Sequence, residues 1–139
     1  MKSNGPILLV DDDKVDAMAV KRAVKELSIP NPLTVANNGE QALEYLRDPN
    51  NPKPCLILLD INMPRMNGIE FLKVAKQDKT LRPIPIIMLT TSREYEDKYR
   101  SFDLGVAGYM IKPASHVEFI ELVRAIDSYW TISESLADS

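Results

Sequence analysis

A chain of 139 residues, 45% hydrophobic and 27% charged, carries enough apolar material for one domain with a real core and too little length for two ordinary ones. Its net charge of −3, with Lys and Arg scattered along the chain, excludes the basic footprint that nucleic-acid binding needs. One cysteine, Cys55, excludes an intrachain disulfide and fits a small buried hydrophobe; no stretch has the apolar length of a signal sequence or a membrane span, so a soluble cytoplasmic protein is expected.

The first element is a strand, Ile7 to Val10, apolar at every position and ending on Asp11, Asp12 and Asp13. A helix follows, with Val15, Met18, Val20, Val24 and Leu27 as its apolar positions, then a strand at Leu33 to Ala36 and a helix on Ala42, Leu43 and Leu46. "RDPNNPKP", Arg47 to Pro54, reads as a surface loop. The third strand, Cys55 to Leu59, ends on Asp60, and a helix on Phe71, Leu72 and Ala75 comes next. The fourth, Ile84 to Leu89, ends on Thr90 and Thr91. After it "SREYEDKYRSFDLG" has only Tyr95, Tyr99 and Phe102 or Leu104 as an apolar stripe, which makes it the loosest helix. A fifth strand, Val106 to Ile111, ends on Lys112. Ser115 with Glu118 fits a capping box that opens a last helix on Phe119, Val123 and Ile126. His116, in the first turn of that helix, has no visible partner and takes no role. Periodicity is lost after Trp130, so one domain over residues 1–132 and a frayed tail over 133–139 are expected, with no room for an appended output domain.

Strands apolar at every position are covered on both faces, and alternation of strands with helices implies a three-layer, doubly wound parallel sheet. In such a sheet the ligand crevice lies outside the carboxyl ends of the strands. Asp11 to Asp13, Asp60, Thr90, Thr91 and Lys112 all fall there. Each also has a plainer use: Asp13 fits a helix cap, Asp60 a strand terminator, Thr90 a strand residue, Lys112 a solvated charge. Their co-occurrence at corresponding strand ends favours a site. Carboxylates brought together need a cation, which Lys112 and a hard divalent ion such as Mg²⁺ supply together. A carboxylate beside such an ion can act as a nucleophile toward phosphorus, with a hydroxyl and an ammonium holding the phosphoryl oxygens.

The segments "ILLVDDD", "LILLDINMPRMNG", "IPIIMLTTS" and "GYMIKP" resemble, in order and spacing, the receiver domain of two-component response regulators, from about Pro6 to about Tyr129. The resemblance implies a flavodoxin-like, five-stranded parallel sheet of order 2-1-3-4-5. It implies that Asp60 accepts a phosphoryl group from a histidine kinase or phosphotransfer protein, and that Asp11, Asp12, Asp60 and the backbone carbonyl of Asn62 bind Mg²⁺. Thr90 and Lys112 would hold the phosphoryl group, Tyr109 would turn inward as Thr90 moves, and the bond before Pro113 would be cis. Thr91 stands where a smaller residue is common, and Asn62 and Ser92 match positions that tune hydrolysis of the acyl phosphate. Within the family, "LRDPNNPKP", "YRSFDLGVAGYMIKP" and "FIELVRAIDSYW" look like stand-alone receivers that partner phytochrome-type histidine kinases. Tyr129 and Trp130 fit packing on the domain or on a second subunit in a homodimer.

These features lead to a single-domain signalling switch read by an unknown downstream protein, catalysing at most its own phosphorylation and dephosphorylation. Two other functions compete with it. A Mg²⁺-dependent phosphatase or phosphotransferase acting on an external ester would want a second carboxylate two residues after the nucleophile, where this chain has Asn62. A phosphorylation-independent adaptor leaves the acidic, hydroxyl and lysine set without a use.

Overall fold

Consecutive apolar residues form strands here because both faces of the sheet are covered. The computed structural model describes residues 5–133. Its strands are β1 (Ile7–Val10), β2 (Leu33–Ala36), β3 (Leu56–Leu59), β4 (Ile86–Thr90) and β5 (Gly108–Ile111). They alternate with α1 (Lys14–Glu26), α2 (Gly39–Arg47), α3 (Gly68–Gln77), α4 (Tyr95–Asp103) and α5 (His116–Ile132). All the strand pairs are parallel and the order is β2-β1-β3-β4-β5, the doubly wound arrangement expected. No helix among the described residues is long and apolar enough to cross a membrane. The expected tail lies, apart from Ser133, outside the described residues.

Strand residues divide by parity between the two faces, as the pleat requires. Ile7, Leu9, Leu56, Leu58, Ile87 and Leu89 meet Val20, Ala23 and Val24 of α1 and Phe119, Val123 and Ile126 of α5. Leu8, Val10, Ile57, Leu59, Ile86 and Met88 meet Ala42 and Leu43 of α2 and Ile69, Phe71, Leu72 and Ala75 of α3. The register pairs Val10 with Leu59 and Thr90 with Ile111, so the carboxyl ends of β1, β3, β4 and β5 finish at one edge.

Several strand and helix boundaries differ from expectation. Cys55, Ile84 and Val106 lie just outside their strands: Pro85 has no N–H to give a ladder, and the N–H of Ile84 turns back to Leu81. Thr90 belongs to β4 rather than to the loop. Val15 and Met18 are exposed, at 75% and 63%, not part of the buried stripe. At 100° per residue they stand about 140° and about 160° round the helix from Val20, whereas Val24 and Leu27 lie within about 40° of it. Trp130 packs at the edge of the α1–α5 core against the ring of Tyr129, 4.5 Å between centroids, and Tyr129 itself is exposed.

Caps fix where the helices begin. Asp13 caps α1, its Oδ1 accepting from the N–H groups of Val15 and Asp16. Asn67 and Glu70 form a full capping box at α3, which the sequence reading did not single out. At α5 Ser115 Oγ accepts from the Glu118 N–H but itself donates to the Glu118 carboxylate, so the expected box is present in half. His116 does have a partner: its Nε2 lies 2.9 Å from Glu26 Oε1, tying α5 to α1.

Candidate functional site

The site is built from strand ends. The backbone ladder runs past the last apolar residues: the Asp11 N–H donates to Ala36 O, the Asp60 N–H to Val10 O and the Lys112 N–H to Thr90 O. These bonds bring Asp11, Asp60, Thr90 and Lys112 together at the edge of the sheet. Asp11 is 2% exposed, Asp60 5% and Thr90 not at all, whereas Asp12 is exposed at the mouth of the site.

Lys112 Nζ is the hub. It lies 2.8 Å from Asp11 Oδ2, 2.8 Å from Asp16 Oδ2 and 3.2 Å from Asp60 Oδ2, with its side chain 5% exposed. The second oxygens of the buried pair are also held, Asp11 Oδ1 by the Asp13 N–H and Asp60 Oδ1 by the Ile61 N–H. Asp16 is the residue the sequence reading missed. Its only signal there is an acid in the first turn of the helix that starts at the site.

One lysine does not balance these acids. Burial pushes the Asp11 carboxyl up from 3.8 to about 6, against the lowering effect of Lys112 and the Asp13 N–H. Burial would also depress Lys112, but its bonds to Asp11 and Asp16 and the charge of Asp60 outweigh it and hold the ammonium above its usual range. Both partners gain from the pairing, but at Asp11 the cost of burial outweighs that gain. The ligand oxygens of Asp11, Asp12 and Asp60 come within 4.8 Å of one another. A hard, all-oxygen donor set with excess negative charge fits a divalent cation of the Mg²⁺ kind.

The close approach of α3 shapes the floor of this pocket. The Gly68 N–H donates to Ile61 O, and a Cβ on Gly68 would collide with the carbonyl oxygen of Asp60 and stand 2.8 Å from Ile61 Cα. Only glycine lets the helix begin so near the aspartate.

From Thr90 a chain of hydrogen bonds leads away from the acids. Thr90 Oγ1 accepts from the Ser92 N–H, Ser92 Oγ donates to Asp97 Oδ2 in the first turn of α4, and the Tyr109 hydroxyl donates to Ser92 O at 2.8 Å. The Tyr109 ring is partly buried beside Phe102, and burial raises its phenol above the ordinary value. Asn62 and Thr91 are exposed beside the pocket, and Ser92 is buried. No peptide bond among the described residues is cis, so the bond before Pro113 is trans, contrary to what the resemblance implies. Trans is the lower-energy isomer of an X–Pro bond by about 0.5–1 kcal/mol unless its surroundings select the other.

Comparison with known proteins gives concordant matches. A family model described as the response regulator receiver domain matches residues 7–124. The response regulator Rcp1 of Synechocystis sp. is 36% identical over 135 residues, 93% of this chain and 92% of that protein. The phosphorylated cyanobacterial phytochrome response regulator RcpA superposes with a TM-score of 0.88 at 33% identity, covering 96% of this chain and 98% of that one. The Mn²⁺-bound form of Rcp1 superposes with a TM-score of 0.86 at 34% identity, covering 96% and 99%.

Proposed function

This chain belongs to the response regulator receiver domain family of two-component phosphorelays, and on that premise we propose that Asp60 is its phosphoryl acceptor. One observation carries the reading: a single ammonium, Lys112 Nζ, joins Asp60 to Asp11 at the carboxyl ends of β3 and β1, with Thr90 buried next to them. Receiver domains bind Mg²⁺ at such an acidic pocket. In this one Asp11, Asp12, Asp60 and the backbone carbonyl of Asn62 would hold it, and it would offset the negative charge of the carboxylate and of the phosphoryl oxygens.

An Asp60 oxygen attacks the phosphorus of a phosphohistidine on the kinase. A new O–P bond forms as the P–N bond breaks, and the imidazole leaves with the electron pair. Lys112 and the Thr90 hydroxyl hold phosphoryl oxygens as charge spreads over them. When Thr90 Oγ1 turns to the phosphoryl group it gives up the Ser92 N–H. Ser92 also holds Tyr109 and, through Asp97, the start of α4, so the change passes to the α4–β5 surface.

The output is therefore a changed binding surface, with catalysis limited to the chain's own phosphorylation and dephosphorylation. The kinase partner is of phytochrome type, a reading supported by the likeness to Rcp1 and RcpA over nearly the whole chain. Incubation with acetyl phosphate or a histidine kinase plus Mg²⁺ should give one phosphoryl adduct by intact mass, lost in Asp60→Asn. An undiminished adduct on Asp60→Asn would remove Asp60 from the role. Steady release of phosphate from many small esters without a kinase would instead favour a hydrolase.

A further inference from the structure

Lys112 has three N–H donors, and in this structure three carboxylates take them. A phosphoryl group on Asp60 draws Nζ toward its own oxygens, and Asp11 and Asp16 then compete with it for the ammonium. The three differ in what release costs. Asp11 is buried with its other oxygen already bonded to the Asp13 N–H, and Asp60 carries the phosphoryl group itself. Asp16 has a side chain that is 25% exposed, so water can replace the ammonium there.

The distances show that Asp16 nevertheless holds the ammonium in the resting state. Nζ is nearer to Asp16, at 2.8 Å, than to Asp60, at 3.2 Å. Asp16 sits on α1, a rigid element capped by Asp13 and packed on α5, so its hold is not a wandering surface contact.

We propose that Asp16 is a positioning residue that parks the third N–H of Lys112 in the unphosphorylated protein and thereby sets how readily Lys112 commits to a phosphoryl group on Asp60. The inference rests on the reading of Asp60 as acceptor. Its direction follows from charge: Asp16 stabilises the resting position of the ammonium and, as an anion, opposes the conversion of the singly charged Asp60 carboxylate into an acyl phosphate of charge about −2. Neutralising it favours the phosphorylated form. Asn in its place keeps the size and an acceptor oxygen but weakens the hold on Nζ.

The test is titration of the full chain, in saturating Mg²⁺, with beryllofluoride as phosphoryl mimic, followed by NMR, together with the half-life of the acyl phosphate by intact mass. Asp16→Asn should bind the mimic about fivefold tighter than wild type and keep its phosphoryl group correspondingly longer. Asp16→Glu, which restores the anion, should return to within about twofold of wild type. Asp13→Asn is the charge control, because it removes a neighbouring anion that does not touch Lys112 and preserves a good helix cap. Unchanged or weaker binding by Asp16→Asn, or an equal gain in Asp13→Asn, would overturn the inference while leaving Asp60 as acceptor. Binding to Asp60→Asn as tight as to wild type would instead overturn the reading of Asp60, and this inference with it.

Discussion

Helices α3 and α4 are consecutive, nearly the same length and flank the same strand, yet they are held in opposite ways. α3 buries Gly68, Ile69, Phe71, Leu72 and Ala75, and opens with a capping box from Asn67 and Glu70. α4 buries Ser101 alone, has no side-chain bond at its N-cap Glu94, and turns Tyr95, Tyr99 and Phe102 outward at 78%, 58% and 52% exposure. The helix that fixes the floor of the acidic pocket is therefore locked by packing. The helix that the Ser92 and Asp97 hydroxyl–carboxylate bond connects to the pocket is held by a few polar contacts and can shift at small cost. A site that must keep its geometry and a surface that must change it have been given different amounts of core.

The strongest way to break that comparison is to delete an aromatic ring from each helix. Phe71→Ala should destabilise by about 3–5 kcal/mol, because a fully buried ring leaves a cavity between α3 and the sheet. Tyr99→Ala should change stability by no more than about 0.5 kcal/mol, since its ring is exposed and stacks on the exposed Tyr95. Urea unfolding of the two variants measures both. Similar losses would mean that α4 is packed as firmly as α3, and the division of labour would fail.

A smaller effect separates the acidic pocket from the α4 surface by pH. The Asp11 carboxyl is raised in the folded chain to about 6 from 3.8, so between these values the folded form keeps a proton that the unfolded form has lost. Its contribution to stability is greatest below about pH 4 and declines as pH rises to about 6. Lys112 has the same sign in a different window, since its raised value gives stability that is full below 10.5 and lost only at higher pH. Without a divalent cation, melting temperature should fall from about pH 4.5 to about pH 6.5 by more in wild type than in Asp11→Asn, and Mg²⁺ should remove the difference. Identical profiles for the two proteins would show that Asp11 does not carry the dependence.

Strand positions and the gathering of Asp11, Asp60, Thr90 and Lys112 were legible in the sequence because both depend on local rules. An apolar run between turn residues marks a strand, and in a parallel sheet the residue after each run lands at the same edge. Asp16 was not legible, because its meeting with Lys112 depends on how α1 rotates onto the sheet. The exposure of Val15 and Met18 depends on that same rotation. Nor was the partner of His116, which comes from Glu26 at the far end of α1. The polarity of α4 was plain in "SREYEDKYRSFDLG"; its consequence, a helix tied to the site through Ser92 and Asp97, needed the fold.

The smallest effects lie at the helix starts, where the two caps invite opposite substitutions. Asn67→Ala should cost about 1 kcal/mol, since it removes the side-chain acceptor for the Glu70 N–H while leaving the backbone N–H that donates to the Glu70 carboxylate. Glu94→Ala removes no cap bond and should be close to neutral. Glu94→Ser supplies the short hydroxyl acceptor that α4 lacks and should stabilise it by about 0.5–1 kcal/mol, with slower hydrogen exchange confined to the α4 amides. If α4 works as the yielding element, that gain in order should also make the phosphorylation-dependent change in its amides smaller. A Glu94→Ser protein whose α4 exchanges more slowly at rest but responds to phosphorylation as fully as wild type would show that the looseness of this helix is not what the switch uses.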